Sequence, residues 1–143
     1  MQELLLIGFA TASLGGCVVS SVATTPNELS DTRWTLIDVR ETAKAEPTEV
    51  LLNKYSMTLA RDGSASFVLD CNRGTGNWSS LGTSADKGRL TFGPIAATRA
   101  LCSDDGLGER LARDLSGSVD YKLYDGRLTL TTPAATYTFD SIA

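Results

Sequence analysis

Three cysteines are the residues of this chain best suited to covalent chemistry, and there is no histidine to help them. Without an imidazole, Ser-His-Asp and Cys-His catalysis are excluded, as are histidine-ligated metal sites. A carboxylate pair or a Ser-Lys arrangement is what remains for an enzyme. The acidic candidates have structural roles available to them: Asp104 and Asp105 beside Ser103 as helix caps, Asp62 and Asp125 as turn residues ahead of glycine. The cysteines at 17, 71 and 102 are isolated, which fits neither the paired spacing of a zinc site nor a Cys-x-x-Cys redox centre. Neither a metal nor another cofactor is expected.

The odd count is resolved by Cys17. It follows an apolar run from Leu4 to Leu14 and then Gly15-Gly16. The run is too short to cross a bilayer, which takes roughly 20 apolar residues, but suits the h-region of an export signal. Leu14-Gly15-Gly16-Cys17 has the form of a lipoprotein box: an aliphatic residue, two small ones and the cysteine that takes the lipid. Residues 1–16 are therefore read as a lipoprotein signal peptide, although the start carries Glu3 and no Lys or Arg. The bland alternative is an ordinary N-terminal helix with Cys17 as a buried thiol. With Cys17 acylated, Cys71 and Cys102 are left as a pair, and a disulfide between them is the expectation. It would close a loop of 31 residues, for which loop-closure entropy gives roughly 3.5 kcal/mol.

Charge excludes another class. There are 13 Lys and Arg against 17 Asp and Glu, and removing residues 1–16 takes away only Glu3. The acidic remainder shows no basic stripe for nucleic acid and no polybasic patch for anionic lipid. Residues 17–30, small, polar and interrupted by Pro26, read as a lipid-anchored tether, with the folded domain over 31–143.

From Asp31 onward the period of two predominates. Trp34 and Leu36, then Tyr55, Met57 and Leu59, then Ala65, Phe67 and Leu69 each alternate with other residues, as half-buried antiparallel strands do. Asp62-Gly63 and Asp125-Gly126 mark tight hairpins. Val119–Leu123, Leu128–Leu130 and Tyr137–Phe139 supply later strands, Arg89–Phe92 a short one, and Gly74–Leu81 a less regular one. Arg40–Lys54, with Pro47, reads as a long connection. One helix is expected where Leu107, Leu111, Ala112 and Leu115 share a face, closed by Gly117 and weakened by Gly108. The fold class is mostly β: a small, strongly curved antiparallel sheet or partial barrel with one helix packed on it.

Asp70-Cys71-Asn72, Pro94–Cys102, the acidic helix and Gly126–Leu130, together with Trp34-Thr35-Leu36, resemble the META domain of HslJ-like envelope proteins. The resemblance implies structural roles for Trp34, Asn72 and Thr98. It also implies a curved sheet carrying a helix, in proteins associated with the bacterial envelope and stress tolerance. The family usually has glycine where Asp70 stands and Met-Ala where Ala100-Leu101 stands; Asp in place of Gly argues against a close backbone approach there. Val18 after the lipid cysteine leans, by resemblance to lipoprotein sorting rules, toward an outer-membrane anchor facing the periplasm.

The function expected is non-enzymatic: an envelope lipoprotein that binds a protein or a small apolar ligand, or serves stress tolerance. An inhibitor of a periplasmic or secreted hydrolase is the runner-up, and a carboxylate-dependent hydrolase the contrasting class. Arg73, Arg99 and Trp78 are the candidate contacts, the arginines for an anion and Trp78 with Trp34, Tyr55, Tyr121, Tyr124 and Tyr137 for a pocket in the sheet. Ordinary solvation and core packing are the competing roles for all of them. Asn77-Trp78-Ser79 fits a glycosylation sequon, without meaning in a bacterial lipoprotein.

Overall fold

The alternating segments close on themselves. In the computed structural model, which describes residues 15–17, 28–50, 53–84, 86–103 and 106–142, ten strands and one helix succeed one another. They are β1 (Arg33–Glu41), β2 (Thr48–Glu49), β3 (Tyr55–Leu59), β4 (Ser64–Leu69), β5 (Asn72–Gly82), β6 (Lys87–Phe92), β7 (Ala96–Ala97), α1 (Leu107–Leu115), β8 (Gly117–Tyr124), β9 (Arg127–Thr131) and β10 (Ala135–Ile142). Eight of the strands form one antiparallel circuit, β10-β9-β8-β6-β5-β4-β3-β1, and β1 pairs with β10 to complete it. β2 and β7 are short additions on β1 and β5. The curved sheet of the sequence reading is thus a closed barrel, which removes the free edges that an open sheet of this size would expose.

Alternation fills the interior. Met57, Phe67, Leu90, Phe92, Leu128, Leu130 and Phe139 point inward and are essentially inaccessible, and Phe67 meets Phe92 edge-on at 5.9 Å between ring centres. Trp34, Tyr55, Trp78, Tyr121 and Tyr137 belong to the same core, so the aromatics offered as pocket walls pack the barrel instead; Tyr124 is exposed. β1 breaks period once: a register shift between Leu36 and Asp38 makes Ile37 a bulge and returns Val39 to the inside.

Because the barrel is an up-and-down circuit, its connections alternate between two rims. The N-terminal rim carries the start of β1, the turns at 60–63, 83–86 and 125–126, and the end of β10. The opposite rim carries 42–54, 70–71, 93–116 and 132–134. Asp62-Gly63 and Asp125-Gly126 are turns as expected; Gly63 has φ +90° and Asp62 accepts from the Ser64 N–H at 2.8 Å.

Each rim is plugged. At the N-terminal one, the turn over Glu28–Asp31 buries Leu29 completely, and its carbonyl accepts the Trp34 indole N–H at 3.2 Å. Leu29 and Ser30, read from sequence as tether, are therefore part of the folded domain. At the other, α1 presses Leu107, Leu111 and Leu115 inward, the face anticipated for it. At its N-terminus Gly106 occupies the cap position in the left-handed region, φ +84°. Asp104 and Asp105 lie outside the described residues. Gly108 is explained by packing, since a Cβ there would come within 3.1 Å of Leu69 Cβ and 3.2 Å of its carbonyl oxygen.

Candidate functional site

The candidate residues gather at the rim that α1 plugs. Cys71 and Cys102 are disulfide-bonded with 5.6 Å between Cα atoms, joining the β4–β5 turn to the segment before α1. Asp70 begins that turn at φ +57°, the left-handed conformation that the family fills with glycine. Asp tolerates it better than most side chains, so the substitution keeps the backbone path that the sequence reading had questioned. The Asp70 N–H donates to the Lys54 carbonyl at 2.9 Å, and Lys54 Nζ lies 3.8 Å from Asp70 Oδ2.

Asn72 organises the loop that faces it. Its Oδ1 accepts the Ala100 N–H at 2.7 Å and the Thr98 hydroxyl at 2.9 Å, while its Nδ2 donates to the Ala100 carbonyl at 3.0 Å and approaches Cys102 Sγ at 3.2 Å. Thr98 Oγ1 also accepts the Arg73 N–H at 2.9 Å, and the Thr98 N–H donates to the Arg73 carbonyl at 2.9 Å. A segment without regular structure from Thr98 to Cys102 is thereby fixed by one carboxamide, one hydroxyl and one disulfide. Asn supplies both donor and acceptor within reach of one peptide unit.

Arg73 turns back on this turn, its Nη1 donating to the Asp70 and Asn72 carbonyls at 3.2 and 2.9 Å. Arg99 is exposed on the pinned segment, and Leu101 beside it is fully exposed. Trp78 is placed differently from the other two candidates: it is buried, and its indole N–H donates to the Ala60 carbonyl at 2.8 Å. Trp34 is buried at the N-terminal rim. Cys17 is exposed with a free thiol.

A groove of about 450 Å³ runs between the pinned segment and α1, with Ile95, Arg99 and Leu101 on one side and Gly108, Ala112 and Arg113 on the other. Its walls mix apolar groups with the charged Arg99, Glu109 and Arg113. The helix side is anchored by bonds that sequence reasoning did not find. Tyr137 donates its hydroxyl to Asp114 Oδ2 at 2.7 Å, and Arg110 Nη1 pairs with Glu41 Oε1 at 2.9 Å. Burial and then the Asp114 carboxylate hold the Tyr137 hydroxyl well above the ordinary tyrosine range. Lys44 above all, and Arg110 with it, draw the Glu41 carboxyl below its ordinary value. Only Gly108, an isolated glycine within a helical pattern, signalled this packing in the sequence.

Two of the acidic candidates stand at the opposite, N-terminal rim. Asp62 serves its own turn, where the Ser64 hydroxyl and N–H lower its carboxyl, and Asp125 sits in another turn at φ +51°. No group of three or more His, Cys, Asp and Glu suited to a metal ion occurs among the described residues.

The META domain matches residues 27–142. The chain belongs to that family. The match begins ahead of Asp31 and takes in the buried Leu29 turn. Two solution structures are similar in fold: a protein from Burkholderia xenovorans at 24% identity, TM-score 0.63, covering 80% of this chain and 84% of the other, and a second protein at 25% identity, TM-score 0.60, covering 81% and 93%. A crystal structure of a DUF4847 family protein from Bacteroides vulgatus resembles it in fold at 12% identity, TM-score 0.55, covering 78% and 93%. No curated protein matches the chain.

Proposed function

We propose that this META-domain protein is a lipid-anchored component of the bacterial cell envelope, held at the outer membrane facing the periplasm, and that it acts by binding rather than catalysis. The observation that carries this reading is how the three cysteines divide. Cys71 and Cys102 are bonded to each other, as suits an oxidising compartment, while Cys17 stands apart at the end of Leu14-Gly15-Gly16. A binding role is supported by the rim that α1 plugs. The Thr98–Cys102 segment is held rigid from behind and presents Arg99 and Leu101 outward, an arrangement that lowers the entropic cost of association. The test is an intact mass of protein from the envelope fraction of a bacterial host, before and after reduction and alkylation. A chain beginning at Cys17 with added acyl mass, and two thiols appearing only after reduction, is the expected result. An unprocessed chain with three free thiols rejects the reading.

A second reading is favoured by one feature of the same rim. A rigid loop ending in a fully exposed Leu101 is the shape that enters the cleft of a hydrolase. Inhibition of a periplasmic or secreted hydrolase, lost in Leu101→Asp with the fold intact, would select it over a role confined to stress tolerance.

A further inference from the structure

Among the described residues, four large apolar side chains are exposed, and three of them share one rim. Leu101 stands beside the groove. Leu81, Tyr124 and Ile142 stand at the N-terminal rim, Leu81 one residue before the end of β5 and the other two at the ends of β8 and β10, strands that all run toward it. They are 72%, 83% and 46% exposed. Single apolar side chains on a surface call for no explanation, but a group at the rim where the chain arrives from Cys17 does.

The polar groups between them point to the same partner. Lys87 and Lys122 pair in register across β6 and β8, beside Tyr124. Tyrosine and lysine both keep an apolar body against an interface and a polar tip in water. No excess of positive charge collects at this rim: Asp31 pairs with Arg61 at 3.1 Å and Asp140 with Arg127 at 2.9 Å, Asp86 faces the two lysines, and Glu28, Asp62 and Asp125 stand with Arg33 on the same rim. Attraction to an anionic surface is therefore small, and apolar contact carries any association.

We propose that the N-terminal rim is a membrane-docking surface, with Leu81, Tyr124 and Ile142 seated in the headgroup layer of the phospholipid bilayer that holds Cys17. The inference rests on the acylation of Cys17 in the proposed function. Ten residues separate Cys17 from Glu28, a length that spans at most about 35 Å and about 18 Å as a coil. The rim is thus held within reach of the bilayer, and docking becomes an intramolecular step at an effective concentration in the millimolar range. Contacts too weak to recruit a free domain then suffice. Docking sets the barrel on end, so that the groove and Leu101 at the opposite rim face away from the membrane.

The test uses the full acylated chain, isotope-labelled, in phosphatidylcholine nanodiscs containing a nitroxide-headgroup lipid. Amides of 81–84 and 124–126 are expected to broaden several-fold more than those of 97–101, and Leu81→Ser/Tyr124→Ser, at two exposed positions, is expected to cut that difference at least twofold, to what the tether alone imposes. Exchanging part of the phosphatidylcholine for phosphatidylglycerol should leave the pattern unchanged. Equal broadening at both rims, or selective broadening that is undiminished by the double substitution or depends on the anionic lipid, overturns docking while a chain still bound to the discs upholds the anchor. A chain that does not remain with the discs overturns the anchor and the docking together.

Discussion

Asp70 shows how one residue can differ from its family and still keep its task. Among the described residues, four non-glycine residues have positive φ, and all are Asp or Asn: Asp31, Asn53, Asp70 and Asp125. Their short polar side chains tolerate the left-handed region, whereas a β-branched residue does not. At position 70 the cost is tied to the site, because this turn aims Cys71 at Cys102 and Asn72 at the Ala100 peptide. Asp70→Val is therefore expected to lose about 1–2 kcal/mol, and Asp70→Gly to stay within about 1 kcal/mol of the parent. Urea unfolding midpoints at fixed slope measure both. A valine that costs nothing would mean that the turn does not need the left-handed conformation.

At the scale of the element, α1 has nine residues, too few to be stable in isolation, so tertiary contacts must hold it. Its leucines bury themselves in the barrel mouth, Gly108 lets it approach Leu69, and Tyr137 reaches out of the core to Asp114. That last bond makes the plug sensitive to alkali. The Tyr137 hydroxyl is protonated when it donates, and folding raises it above the ordinary value of 10.0. Its contribution is accordingly complete below pH 10 and is lost as pH rises through the higher folded value. Tyr137→Phe should cost about 1.5–3 kcal/mol at pH 7, as for a hydrogen bond to a charged group. It should also show a smaller fall in melting temperature between pH 9 and pH 11 than the parent. Equal falls in both proteins would mean that this hydroxyl does not govern the alkaline limb.

For the molecule as a whole, alternation and turn residues made the strands, both Asp-Gly hairpins and the helix face legible in the sequence. Closure was not. Pairing β1 with β10 joins Arg33 to Ile142, and nothing local announces a contact of that span. Ile37 hides in an apparently regular strand as a bulge, and Thr35 and Ser56, on the face that alternation assigns to solvent, are buried. At the site, the disulfide followed from counting cysteines, but the roles of Asn72 and Thr98 came from family resemblance, and the bonds they make depend on how the 93–116 connection folds back. Closure also predicts what the disulfide does. The circuit of eight strands does not pass through it, so Cys71→Ala/Cys102→Ala should remain a folded barrel with an unchanged far-ultraviolet spectrum. Releasing a 31-residue loop should still cost roughly 3.5 kcal/mol, and amide exchange locates the loosened part. Beyond the general loss, the Thr98 and Ala100 amides should exchange through local opening, because only the hydrogen bonds of Asn72, Thr98 and Arg73 then hold their segment, while β1 and β10 amides should still require global unfolding. Loss of protection shared evenly between the two rims would instead make the disulfide a staple of the whole barrel, and the rigid loop at its end would need another support.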